Sequence, residues 1–168
     1  MIEYSDECTA ITTDRLNLVP LVRRHADSLF EILCNSCLYE YTHEAPPASV
    51  ATLRERFSFL ESRRSPDGTQ VWLNWLLQRS GEAIGYVQAT VTDDEADVAW
   101  VVGSRWQRRG YATEAAGAMV HWLQAAGIRL IRAKIHPEHS ASRRVAAKVG
   151  LSPTGGVVDG EEVWILAA

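Results

Sequence analysis

The stretch Trp106 to Glu114, WQRRGYATE, sets two arginines, a glycine, a small residue and a threonine directly after the apolar run Val98, Ala99, Trp100, Val101 and Val102. A helix N-terminus presents unpaired backbone N–H groups and about half a positive charge, which together make an anion site. Arg108 and Arg109 add full charges there, Gly110 lets the backbone approach a bulky anion or take a positive φ, and Ala112 keeps the first turn clear. Thr113 adds a hydroxyl donor. Such a turn suits a pyrophosphate. It lacks the Lys-Ser/Thr ending of a nucleoside-triphosphate loop and the G-x-G-x-x-G of a dinucleotide fold. Taken alone, the motif reads equally as a solvated loop with a favourable glycine.

The elements around the motif follow from periodicity. AITTDRLNLVPL alternates Leu16 and Leu18 with polar neighbours and reads as a strand ending at Pro20. From Arg23 to Cys37, Ala26, Leu29, Phe30 and Leu33 recur at helical spacing. Ser49 is an N-cap for a second helix carrying Val50, Leu53, Phe57 and Leu60, which Pro66-Asp67-Gly68 ends. Val71 to Gln78 and Ala83 to Val91 flank the turn Ser80-Gly81-Glu82 as a hairpin, and a turn at Thr92 to Glu95 leads into the strand Ala96 to Val102. Ala116, Met119, Val120 and Leu123 mark a helix from Gly110 to Ala126, stopped by Gly127. Leu130 to His136 is a strand, Ser140 to Val149 a short helix closed by Gly150, and Leu151 to Leu166 a closing hairpin with its turn at Asp159-Gly160. The expected fold is α/β: a mixed sheet of about seven strands in the order β-α-α-β-β-β-α-β-α-β-β, with helices on both faces.

The chain's 168 residues suit a single domain spanning 1–168. With 17 Lys+Arg against 21 Asp+Glu and no basic or acidic tract, nothing points to nucleic acid. MIEYSDECTA has neither a basic nor an apolar leader region, and no window approaches a membrane span, so a soluble, cytoplasmic protein is expected. Cys8, Cys34 and Cys37 are an odd set, which argues against a disulfide framework. The lone pair Cys34-x-x-Cys37 lacks a second pair or a nearby His, and is read as two small buried or half-buried helix residues rather than a metal or redox site. No metal is expected.

Four segments in order carry a resemblance: TDRLNLVPL, ADVAWVV, QRRGYATEA and ASRRVAAKVGL. Together they resemble the GNAT superfamily of acetyl-CoA-dependent N-acetyltransferases, and within it the RimJ/RimL-type group, from about Thr13 to Leu166. The resemblance implies a mostly antiparallel sheet splayed between the strand ending at Val102 and the strand ending at His136, with a pantetheine arm in the gap. Val101, Val102 and Gly103 would bind that arm through their backbone, and Gln107, Arg108, Arg109, Gly110, Tyr111, Ala112 and Thr113 would hold the pyrophosphate of acetyl-CoA. Arg143, or Arg144 or Lys148, would reach the ribose phosphate, unless that helix face is simply wet.

Acetyl transfer requires a neutral amine, a stabilised oxyanion and a departing thiolate. By the same resemblance Asp97 is the candidate base, its alternative being a solvated strand acid beside Asp93, Asp94 and Glu95. Glu114 is explained by the helix dipole. The tyrosine acid that many relatives carry in the last helix is Ala146 here, so either Ser142 assists the leaving thiolate or no protein acid is used. The group's asparagine at the start of that helix is His139, which would cap the helix or touch the pantetheine. The acceptor is an amine, of a small molecule or a protein N-terminus, approached past Glu40, Glu44, Asp159, Glu161 and Glu162 by a monomer or homodimer. The aromatics Tyr39, Tyr41, Trp72, Trp75 and Trp100 would either line the acceptor pocket or pack the core. The competing reading is a non-catalytic acyl-CoA-binding or sensor domain on the same scaffold.

Overall fold

The computed structural model describes residues 9–167, so Cys8 lies outside the described residues. Two short strands, β1 (Ile11–Thr12) and β2 (Asn17–Pro20), lead to α1 (Ala26–Leu33) and α2 (Val50–Leu60). The strands β3 (Val71–Arg79), β4 (Glu82–Thr92) and β5 (Glu95–Val102) follow, then α3 (Tyr111–Ala125), β6 (Leu130–Ile135), α4 (Ser140–Lys148), β7 (Ser152–Val158) and β8 (Glu161–Ala167). They form one eight-stranded sheet in the order β1-β2-β3-β4-β5-β6-β8-β7. Every neighbouring pair is antiparallel except β5 and β6.

Three local expectations change. The extra strand is β1, which pairs Ile11 with Leu18 across the turn at Asp14 and Arg15. The first helix is shorter than its periodicity suggested: a 3-10 turn at Arg23–His25 precedes α1, and another at Ser36–Tyr39 follows it. Asn35 interrupts the helix by accepting from the Cys37 N–H through its own side chain, the local competition that disfavours Asn inside helices. Cys34 and Cys37 are consequently exposed and free rather than packed on a helix. The second helix begins as its cap demanded, with the Ser49 hydroxyl accepting from Thr52 N–H.

The sheet divides two apolar clusters. Trp75, Val87, Trp100, Val98 and Ile131 face α3, whose Ala115, Met119 and Leu123 are fully buried. Leu76, Tyr86 and Val101 face the other way and meet Leu29 of α1 and Phe57 of α2. Burial on both faces explains why β3 reads as a continuous apolar run rather than an alternating one. Between Val71 and Leu77, Asn74 is the single polar residue, and it is buried.

Candidate active site

β5 and β6 pair only at Glu95↔Leu130, Ala96↔Ile131 and Asp97↔Arg132. Beyond Asp97, β5 runs on to Val102 and β6 to Ile135 with no further pairing between them. The sheet therefore forks. β6 is held on its far side by β8 along its whole length, and β5 is held by β4 from Thr92↔Glu95 to Gly85↔Val102. At the open end Gly85 lies so close to β5 that a Cβ there would sit 2.1 Å from the Val101 carbonyl oxygen, so only glycine allows this approach.

The register decides which backbone groups face the gap. Gly103 N–H donates to Ile84 O at 2.8 Å, and in an antiparallel pair alternate residues turn their hydrogen-bonding groups to the same neighbour. Val101 and the Gly103 N–H are thus directed at β4, while Trp100 and Val102 turn theirs toward the fork. Of the three expected backbone ligands, Val102 faces the gap. Gly103 serves packing, because a Cβ there would come within 2.7 Å of Ile32 and 2.9 Å of Trp106. Gln107 is turned inward and donates from Nε2 to the Val102 carbonyl at 2.9 Å, tying the loop back to the end of the strand.

The mouth of the fork is the start of α3. Gly110 is its N-cap at φ 82° with no side-chain cap, leaving the N–H groups of the first turn free to meet a ligand. Arg108 also takes a positive φ, 62°, an unusual cost for a non-glycine residue. The Arg108 and Arg109 side chains are exposed and form no ion pair among the described residues. Tyr111 is buried beneath Arg15, whose guanidinium lies 4.6 Å from the ring centroid, so only its backbone is available to the mouth. Ala112 and Thr113 are half-buried beside it.

Glu114 does more than answer the helix dipole. Its carboxylate accepts from Thr13 Oγ1 at 2.6 Å and from Arg15 N and Nε at 2.9 and 2.6 Å, while Arg15 Nη1 donates to Arg109 O at 3.0 Å. Burial raises the Glu114 pKa, but the bonds from Thr13 and Arg15 outweigh it and leave the carboxyl below its ordinary value.

Asp97 is the last paired residue before the gap and projects to the α1–α2 face. Both of its oxygens accept from Arg132, at 2.6 and 3.1 Å, and this bonding raises the Arg132 pKa. The candidate base, whose alternative reading is a solvated strand acid, is therefore half of a bidentate pair. On the opposite arm, His139 is the N-cap of α4 without a side-chain cap bond, and its ring stacks 4.8 Å from Tyr41. Burial, then the neighbouring His136, lowers its pKa, so it is neutral near neutral pH. Ser142, in the first turn of α4, is half-buried with no hydrogen-bond partner for its hydroxyl among the described residues. Arg143 is engaged within the chain: its Nε lies 3.1 Å from Glu162 and its Nη1 donates to Pro137 O at 3.3 Å. Arg144 and Lys148 remain exposed.

A cavity of about 250 Å3 lies on the α1–α2 side, floored by Asn74 of β3 and Tyr86 and Gln88 of β4. Tyr86 and Gln88 pair with Val101 and Ala99 of β5, so the floor adjoins the edge of the fork. Sequence reasoning passed over these residues. Their signal was present: isolated polar side chains in apolar strands, at positions that register aligns. Two of the five acids of the expected rim are paired, Glu44 3.5 Å from Arg56 and Glu162 3.1 Å from Arg143. Of the aromatics, Tyr39 lines the cavity, whereas Trp75 is wholly buried in the core and Trp72 packs on Phe59.

Residues 15–152 match the family of the acetyltransferase (GNAT) domain. The chain is 26% identical over 166 residues to YnaD of Bacillus subtilis (strain 168), described as an uncharacterized N-acetyltransferase, covering 92% of this chain and 91% of that protein. Its fold matches RimJ of Mycobacterium smegmatis, solved in complex with CoA-disulfide, at a TM-score of 0.84 and 22% identity over 97% of this chain and 89% of that one. It also matches RimL, a ribosomal L7/L12 α-N-protein acetyltransferase solved with coenzyme A, at 0.78 and 18% over 95% and 98%. With the forked sheet and the uncapped helix at its mouth, these matches lead to one conclusion: the chain belongs to the GNAT acetyltransferase family.

Proposed function

We propose that the chain is an N-acetyltransferase moving an acetyl group from acetyl-CoA to a primary amine by direct attack in a ternary complex. The observation that carries this reading is the fork between β5 and β6 with the uncapped start of α3 at its open end. The residues present fit the co-substrate. Free N–H groups of Tyr111, Ala112 and Thr113, with the charges of Arg108 and Arg109, suit a pyrophosphate. The gap-facing backbone of Trp100 and Val102 suits an amide-bearing arm.

Each chemical requirement has a candidate group. A thiol of pKa about 8.5 is a fair leaving group, and the unpartnered Ser142 hydroxyl supplies a donor to it. Ala146, fully buried, supplies none. The acceptor enters from the α1–α2 side, where Asp97 takes its proton directly or through water. Backbone donors along β5 stabilise the oxyanion without reorganising. β5, β6 and the first turns of α3 and α4 contain no cysteine to carry an acyl group, which favours direct attack. Release of free thiol from acetyl-CoA across a panel of amines tests the reading. Tight CoA binding with no turnover on any amine would support the sensor domain instead.

A further inference from the structure

The cavity beneath α1 and α2 carries a charge pattern opposite to the one the acidic surroundings suggest. Its walls are mainly apolar, from Leu33, Leu53, Phe57 and Pro46. Among the described residues Arg56 of α2 is the only charged one lining it, and no Asp or Glu does so. Neutral polar groups sit on the floor, at Asn74, Tyr86 and Gln88. Burial pushes the Tyr86 phenol up to about 12, the charge of Arg56 opposing it and that of Glu44 adding to it, so its hydroxyl remains a donor at physiological pH.

From this we propose that the acceptor is a small amine with an apolar body and one carboxylate, of the size and character of an apolar amino acid, whose carboxylate pairs with Arg56. The proposal rests on the N-acetyltransferase reading and names the acceptor of that same site. Volume supports a compact occupant, since about 250 Å3 is below the roughly 300–1,000 Å3 of pockets for drug-sized ligands. Charge argues against polycations: a polyamine or aminoglycoside would place ammonium groups beside Arg56, with only the Glu44 carboxylate, 3.5 Å from that same guanidinium, near enough to receive them. Arg56 is available to a ligand. Its contact with Glu44 is 3.5 Å long, and both side chains are about half exposed, the geometry of a weak surface pair that a buried carboxylate can displace. The planar guanidinium then offers the two parallel donors a carboxylate prefers. The amine is left toward β5, because the floor residues Tyr86 and Gln88 adjoin Val101 and Ala99 at the edge of the fork.

The test compares L-leucine, L-phenylalanine and 6-aminohexanoate with the corresponding amides, with spermidine, and with a short peptide bearing a free N-terminus, as acetyl acceptors. Free acids should be preferred. In Arg56→Gln the ratio of kcat/KM for acid over amide should fall about tenfold or more, the scale of a lost charge-assisted hydrogen bond. Equal losses for acid and amide, or a preference for spermidine or the peptide, overturns the proposal while leaving the transferase reading intact. Calorimetric titration of the CoA-loaded protein with L-phenylalanine separates the opposite case. Binding that weakens in Arg56→Gln, without turnover on any amine, supports the cavity assignment and defeats the transferase reading. Neither binding nor turnover of any carboxylate-bearing amine overturns the proposal.

Discussion

Arg15 and Glu114, 99 residues apart in the chain, are joined by two hydrogen bonds, from the Arg15 backbone N–H and from its Nε, at 2.9 and 2.6 Å. Thr13 adds a third bond to the same carboxylate. The β1–β2 turn is thereby fastened to the first turn of α3, and Arg15 also holds the Arg109 carbonyl. The TDR and GYATE segments are thus two halves of one structural clasp at the mouth of the fork.

Removing the centre of the clasp should weaken both fold and cofactor grip. Glu114→Ala leaves the Thr13 and Arg15 donors without their acceptor, and the expected loss is about 1–3 kcal/mol. Urea unfolding measures it. Calorimetric affinity for CoA should fall as well, because the backbone at Arg109 loses its tether; an unaltered affinity would confine the clasp to stability.

The same carboxylate sets a pH dependence. Its folded pKa is depressed, burial being outweighed by the bonds from Thr13 and Arg15. A depressed acid contributes stability that is present above its unfolded pKa and lost as pH falls through the folded value. Stability should therefore decline in the acid range below about pH 4.3, the ordinary glutamate value, and Glu114→Gln should flatten that decline. Equilibrium unfolding at a series of acid pH values reads the difference, and identical slopes in the two proteins would remove Glu114 as its source.

Gly110 stands at φ 82°, and a Cβ there would lie 3.3 Å from Arg15 Nη2. Gly110→Val should block close approach to the α3 N-terminus and abolish measurable CoA binding. The left-handed conformation adds a stability cost of about 1–2 kcal/mol, so the affinity is to be measured on folded protein. Wild-type affinity there would move the phosphate site elsewhere.

Asp97 offers a sharper choice now that its partner is known. As the base, it should lose about 10² or more in kcat on change to Asn, with CoA affinity little altered. As a purely structural half of the Arg132 pair, it should instead give matching stability losses in Asp97→Asn and Arg132→Gln, with turnover per folded molecule preserved. Steady-state kinetics beside thermal melts separates the two.

The Ser142 hydroxyl makes no hydrogen bond among the described residues, and the N-cap of its helix is His139. Ser142→Ala should accordingly leave the melting temperature nearly unchanged and lower kcat. The deficit should shrink for acyl donors with more acidic thiols, which need less help in leaving. An equal deficit with every donor would defeat the leaving-group role.

Local pattern alone determined much of this protein. Helical spacing at Ala116, Met119 and Leu123, the Ser49 cap, the glycine at 110 and the alternating strands are properties of short segments, and each appears where its residues demand it. Such features depend on backbone preference and on which face must leave water, both written in neighbouring residues. The place where the sheet parts was available only by family resemblance, because strand pairing is a relation between distant segments. Partners were less legible still. Arg143 reads as a candidate phosphate ligand or a wet residue and also pairs with Glu162; Asp97 reads as a base or a solvated acid and is held by Arg132; Glu114 reads as a dipole charge and binds Thr13 and Arg15. A long charged side chain takes whichever opposite charge the fold brings within reach, and the fold alone brings β5 beside β6 or α3 beside the first turn. The cavity came from the same source: Asn74, Tyr86, Gln88 and Arg56 carry no common motif and converge only when β3, β4 and α2 are packed together.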